Sequence, residues 1–255
     1  MILRRIAIAV ALAAIFATAG CSDSKEQAFQ GWVEAELIFV SPDEPGRIET
    51  LVVREGDQVA LRAPLFTLDA DLQQADVAMQ EAQVKNAQQA YDRAQSLLRS
   101  NAGTQKALED AEAALRTAQA RLNSAQTRLA RRRVFSPVEG PVQQIYFRVG
   151  EMAPAGRPVL ALLPPRNLKA RFYVGETVLP LLKLDDWVNI RCDGCADNIR
   201  AKISFISRTS EFTPPVIYSQ EERSKLVFLI EARPERPELL RVGQPITVTL
   251  AAEEP

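Results

Sequence analysis

Gly46-Arg-Ile-Glu-Thr-Leu-Val-Val-Arg-Glu-Gly-Asp57, closed by Pro64-Leu-Phe-Thr-Leu68, returns without a gap as Gly140-Pro-Val-Gln-Gln-Ile-Tyr-Phe-Arg-Val-Gly-Glu151, closed by Pro158-Val-Leu-Ala-Leu162. Five pairs are identical: Gly46/Gly140, Arg54/Arg148, Gly56/Gly150, Pro64/Pro158 and Leu68/Leu162. Ile48/Val142, Leu51/Ile145 and Asp57/Glu151 are similar. Each copy reads as two short strands around a turn, with Gly46, Gly56, Gly140 and Gly150 taken as the turn glycines of the repeat. One copy alone leaves an apolar face in water, so the two must pack on each other, which brings the residues around 69 and 135 together.

What lies between the copies is of another composition. Residues 70–133 hold no proline, one glycine (Gly103) and one aromatic (Tyr91), while alanine supplies 16 of 64 positions. That is helix-forming composition. Val77, Val84, Tyr91 and Leu98 fall seven apart, with Ala87 and Ala94 between them. After a break, Leu108, Leu115, Leu122 and Leu129 repeat at seven, with Ala111, Ala118 and Ala125 interleaved. Such a narrow apolar seam predicts a coiled coil. The break, Ser100-Asn101-Ala102-Gly103-Thr104, is short enough to require an antiparallel hairpin with arms about 45 Å long. Gly103 is expected to take the left-handed conformation ending the first helix, and Thr104 to cap the second. Arg131, Arg132 and Arg133 read as favourable charge at a helix C-terminus.

Composition excludes several function classes. The 255-residue chain carries 31 Lys plus Arg against 32 Asp plus Glu and no histidine. Without histidine there are no Ser-His or Cys-His nucleophile pairs and no HExxH zinc site. A net charge of −1 argues against nucleic acid as a partner. No enzymatic activity, metal or cofactor is expected.

At the N-terminus Arg4 and Arg5 precede an apolar run, Ile6 to Ala19, broken by Thr18 and too short for a stable membrane span. Residues 1–20 therefore read as a signal peptide. Thr18-Ala19-Gly20-Cys21 resembles a bacterial lipobox with Thr18 in the usual leucine place. Lipidation of Cys21 is expected, with plain signal-peptidase cleavage as the alternative, and 21–30 as a polar tether.

From about residue 167 the pattern turns to period two, with strands expected at Leu168–Val174, Trp187–Arg191, Ala201–Ile206, Leu226–Glu231 and Ile246–Leu250, hence a small antiparallel barrel over 166–252. Trp32 and Trp187 read as core or barrel-end packing. Cys192-Asp193-Gly194-Cys195 places a favoured two-residue hairpin turn between two cysteines, so a structural disulfide is the leading reading in an exported chain. Metal binding and a redox role are the alternatives.

A repeat split by a helical hairpin and followed by a barrel resembles the HlyD-type membrane-fusion, or periplasmic adaptor, family. The resemblance covers about residues 30 to 252. It implies an α+β fold: a mostly-β lipoyl/biotinyl-like sandwich (31–69 plus 134–165), split by an antiparallel coiled-coil α-hairpin (70–133) and followed by the barrel. Adaptors that meet TolC-like outer-membrane channels tend to show Arg, then Leu four on, then Ser seven further. Here Arg93, Leu97 and Thr104 match, with Thr for Ser, and the resemblance makes them channel-docking residues. It further implies a periplasmic chain in a Gram-negative bacterium, held by a lipid anchor in the inner membrane. The implied partners are an inner-membrane transporter, a TolC-like channel and copies of itself, as a homohexamer. The chain ends at Pro255 soon after the barrel, so the three-domain adaptors of ABC transporters (permease and ATPase) are the expected subgroup, with Glu211–Tyr218 resembling a stretch found there. A proton-driven pump is the alternative. A lipoyl or biotinyl carrier would need a lysine at the junction, where Leu68-Asp69-Ala70-Asp71 stands instead. A free-standing coiled-coil scaffold is the remaining rival.

Overall fold

In the computed structural model, which describes residues 27–195, 199–212 and 226–250, the two repeat copies interlock through reciprocal hydrogen bonds. Gly56 N donates to Val142 O and Gly150 N to Ile48 O, both at 2.8 Å. Ile48 N donates to Glu151 O and Val142 N to Asp57 O, both at 2.9 Å. Every donor and acceptor in the first bond of each pair is the repeat equivalent of its counterpart in the second. The turns match too: Asp57 accepts from Arg54 N at 2.8 Å, and Glu151 from Arg148 N at 2.9 Å. Gly56 and Gly150 have φ of 92° and 91°, the left-handed region that an unbranched Cα tolerates.

The strands of this unit are β2 (Ile38–Val40), β3 (Gly46–Leu51), β4 (Gln58–Val59), β5 (Pro64–Leu68), β6 (Arg133–Phe135), β7 (Gly140–Ile145), β8 (Met152–Ala153) and β9 (Leu160–Leu162). They form two four-stranded sheets, ordered β2-β9-β7-β4 and β6-β5-β3-β8. Ile48, Leu65, Phe66 and Leu68 share a core with Val142, Val159, Leu160 and Leu162, all nearly inaccessible. Gly46 and Gly140 are not turn residues, contrary to the sequence expectation. Each opens a strand: Gly46 beside the end of the Arg132 side chain, and Gly140 where the backbone of Leu163 leaves no room for a side chain. A Cβ at Gly46 would lie 2.7 Å from the Arg132 guanidinium, and one at Gly140 would lie 2.9 Å from the Leu163 carbonyl carbon.

From β5 the chain runs into α1 (Asp71–Arg99), turns, and returns as α2 (Gln105–Ala130) into β6. The heptad positions face inward. Leu115, Ala118 and Ala125 are buried, and Val77, Val84, Ala87, Tyr91, Ala94, Leu98, Leu108, Ala111, Leu122 and Leu129 are half-buried. Among the described residues no helix is long and apolar enough to cross a membrane.

The second compact unit is a closed six-stranded barrel, ordered β1-β10-β13-β12-β11-β14. Its later strands are β10 (Leu168–Gly175), β11 (Trp187–Arg191), β12 (Ile199–Phe212), β13 (Leu226–Pro234) and β14 (Pro245–Leu250), each overlapping an expected strand. Along β10, Leu168, Ala170, Phe172 and Val174 point inward on alternate positions. The first strand corrects the expected boundaries. β1 (Ala28–Ala35) belongs to the barrel and not to a tether and the repeat unit, because it pairs antiparallel with β14 from Ala28↔Thr249 to Trp32↔Pro245. Gly31 permits the fit, since a Cβ there would come within 2.7 Å of Phe172 Cβ on β10. The repeat unit accordingly spans Ala35–Leu168. Trp32 is 38% exposed against Tyr173, and Trp187 lies under the Arg200 guanidinium at 4.4 Å. The expected signal peptide (1–20), Cys21, residues 213–225 and residues 251–252 lie outside the described residues.

Candidate docking surface of the helical hairpin

The hairpin turn is built by its own backbone. Asn101 N donates to Leu98 O at 3.1 Å and Ala102 N to Leu97 O at 2.9 Å, the two bonds of a Schellman motif. The left-handed residue that motif requires is Asn101, with φ of 55°, so the expectation for Gly103 is corrected. Asparagine is the common non-glycine choice there. Gly103 serves close packing instead: a Cβ on it would lie 3.0–3.1 Å from Leu98 N and from Leu97 C and Cβ. Thr104 then caps α2, its Oγ1 accepting from Ala107 N at 3.2 Å.

These features hold the sequence-predicted trio at one end of the hairpin. Arg93 and Leu97 stand one helical turn apart on the same face of α1. Thr104 follows Gly103, which lies against Leu97. All three are exposed. Leu97 is 49% exposed although the seam beside it is apolar. Among the described residues Arg93 makes no hydrogen bond or ion pair. Thr104 accepts one bond within its helix and keeps a proton to donate. The arrangement offers a forked cation, an apolar knob and a hydroxyl, a combination suited to contacting another protein's surface and not to chemistry.

At the other end of the hairpin the structure shows what sequence reasoning missed. Arg132 is 7% exposed, and its guanidinium donates to Pro45 O at 2.9 Å and Glu44 Oε2 at 3.1 Å. Arg131 pairs with Asp43 at 3.3 Å, and Arg128 approaches Glu44 at 3.9 Å. Arg133 has entered β6. The arginine run is therefore an anchor to the turn at 43–45 more than a complement to the helix dipole. Acidic residues opposite it, Asp43 and Glu44, were the available signal.

Cys192 and Cys195 are joined by a disulfide, with Cα atoms 5.3 Å apart, and Cys195 N donates to Cys192 O at 3.2 Å. This is not the two-residue turn joining paired strands. Only Gly194 has positive φ, 76°, which suits the third position of a type II turn, and the flanking ladder pairs Ile190 with Ile199. The bridged turn sits within a longer connection. Gln244 Nε2 contacts Cys195 Sγ at 3.2 Å.

No family model matches the chain. It is 32% identical over 127 residues to a UPF0194 membrane protein of Acidithiobacillus ferridurans, a match covering 47% of this chain and 38% of that protein. It is 31% identical over 117 residues to the UPF0194 membrane protein YbhG of Salmonella gallinarum, covering 45% and 35%. The matches thus span little more than a third of these relatives' length. Among solved structures, the membrane fusion protein Spr0693 of Streptococcus pneumoniae superposes with a TM-score of 0.69 at 18% identity, over 89% of this chain and 100% of that one. A MacA–MexA chimera carrying the Pseudomonas aeruginosa MexA α-hairpin domain gives 0.70 at 19% identity, over 88% and 80%. MacA of Actinobacillus actinomycetemcomitans gives 0.57 at 19%, over 88% and 78%. The chain thus shares the fold of these solved structures, among them a protein described as a membrane fusion protein.

Proposed function

We propose that the chain is a non-enzymatic periplasmic adaptor linking an inner-membrane transporter, of the ABC type, to a TolC-like outer-membrane channel. In this reading the two-sheet unit is the lipoyl/biotinyl-like domain, recruited as a rigid base and not as a carrier. The helices form its coiled-coil hairpin, and Cys21 carries the lipid that holds the chain at the inner membrane. Six copies surround a passage, and their hairpins meet the channel through Arg93, Leu97 and Thr104. The observation that carries the reading is a hairpin whose end is closed by its own backbone bonds yet keeps Leu97 half in water beside an Arg93 that has no partner among the described residues. Leu97 and Arg93 on one helix face at this turn supply the apolar knob and the forked cation that such a contact needs.

The test is in-cell crosslinking from a photoreactive residue at position 97. Capture of an outer-membrane channel subunit is the expected result. Capture of nothing from the outer membrane, while a control probe within the barrel captures an inner-membrane protein, would overturn the docking role.

A further inference from the structure

The repeat builds a cleft as well as a core. It holds about 460 Å³ and is lined by Leu51, Val53, Arg54, Glu55, Ile145, Arg148 and Val149. Leu51/Ile145 and Arg54/Arg148 are repeat partners, so the cleft straddles the two copies and is lined by one arginine from each. The turn carboxylates that could have neutralised them are turned elsewhere. Asp57 accepts from Arg54 N and Glu151 from Arg148 N, both backbone groups. Glu55 accepts from Ile145 N at 2.8 Å. Among the described residues neither guanidinium has a hydrogen bond or ion pair, in contrast to the fully engaged Arg132. Two arginines and one glutamate leave the lining with a net positive charge. The rest of it is aliphatic, from buried Val53 to Val149 at 57% exposure.

We infer that this cleft binds an amphiphilic organic anion, its carboxylate or sulfate head between Arg54 and Arg148 and its tail on Leu51, Val53, Ile145 and Val149. Paired guanidinium forks recognise oxyanions bidentately, and the aliphatic floor rewards a tail by removing apolar surface from water. The volume suits a small ligand. The inference stands apart from the adaptor reading, because it concerns one unit of one copy and is tested on purified protein.

Calorimetric titration of the full chain with dodecanoate, below its micellar range, is the test. Saturable binding is expected. Inorganic sulfate, a head without a tail, should bind at least about tenfold more weakly, and dodecyltrimethylammonium, a tail with the opposite charge, should not saturate. The R54Q/R148Q variant should lose about tenfold or more in affinity while melting like the parent, since both side chains are exposed. Equal binding of the cationic amphiphile, unchanged affinity in the double variant, or no saturable dodecanoate binding overturns the inference. If the double variant does not fold, R54K/R148K decides, keeping charge while losing the forks. Several-fold weaker binding supports the site, and unchanged binding overturns the role given to the guanidinium groups.

Discussion

The two ends of the hairpin solve opposite problems with similar residues. At the base, Arg132 is buried and its donors are spent on Pro45 and Glu44, with Arg131 and Arg128 reinforcing the same turn. At the far end, Arg93 is exposed and unpaired among the described residues, and the turn satisfies its carbonyls without it. An arginine can be structure or surface, and the difference lies in whether the backbone around it is already satisfied. The base arginine therefore belongs to stability, and in the proposed reading the distal arginine and leucine serve recognition.

Substitutions should separate the two ends. The largest effect is expected for Arg132→Met, which strands the Pro45 carbonyl and Glu44 beside a buried site. It should cost about 3 kcal/mol in denaturant unfolding of the repeat unit. Leu115→Ala, in the buried seam between the ends, should cost about 2–3 kcal/mol in the same measurement. Thr104→Ala removes the cap on α2 and should cost about 1 kcal/mol, whereas Thr104→Ser, which keeps the oxygen, should stay within about 0.5 kcal/mol of the parent. Leu97→Ala should change stability least, by under about 0.5 kcal/mol, because half of the side chain is already in water. A Leu97→Ala cost as large as that of Leu115→Ala would erase the distinction between the ends.

Much of this was legible in the chain because it rests on local rules. Matched pairs such as Ile48/Val142 and Gly56/Gly150 became reciprocal hydrogen bonds, since identical spacing forces equivalent turns. Heptads from Val77 to Leu129 became the helix seam for the same reason. The losses came where two meanings share one residue type. Gly103 and Asn101 can both enter the left-handed region, and helix length decided which did. Gly46 and Gly140 look like turn residues but mark close approaches, visible only when Arg132 and Leu163 are in place. The expected boundary between tether (21–30) and repeat unit (31–69) cuts through β1, because its partner, β14, lies at the opposite end of the sequence.

The central claim, that Leu97 is kept for a partner and not for the fold, is tested most directly by moving the probe off it. A photoreactive residue at Gln105, exposed in the first turn of α2, should capture the outer-membrane channel in cells. The account predicts that adding Leu97→Asp abolishes this capture while the purified variant unfolds at the parent's denaturant midpoint. Capture that persists, or a loss of capture accompanied by a fall in that midpoint, would contradict it.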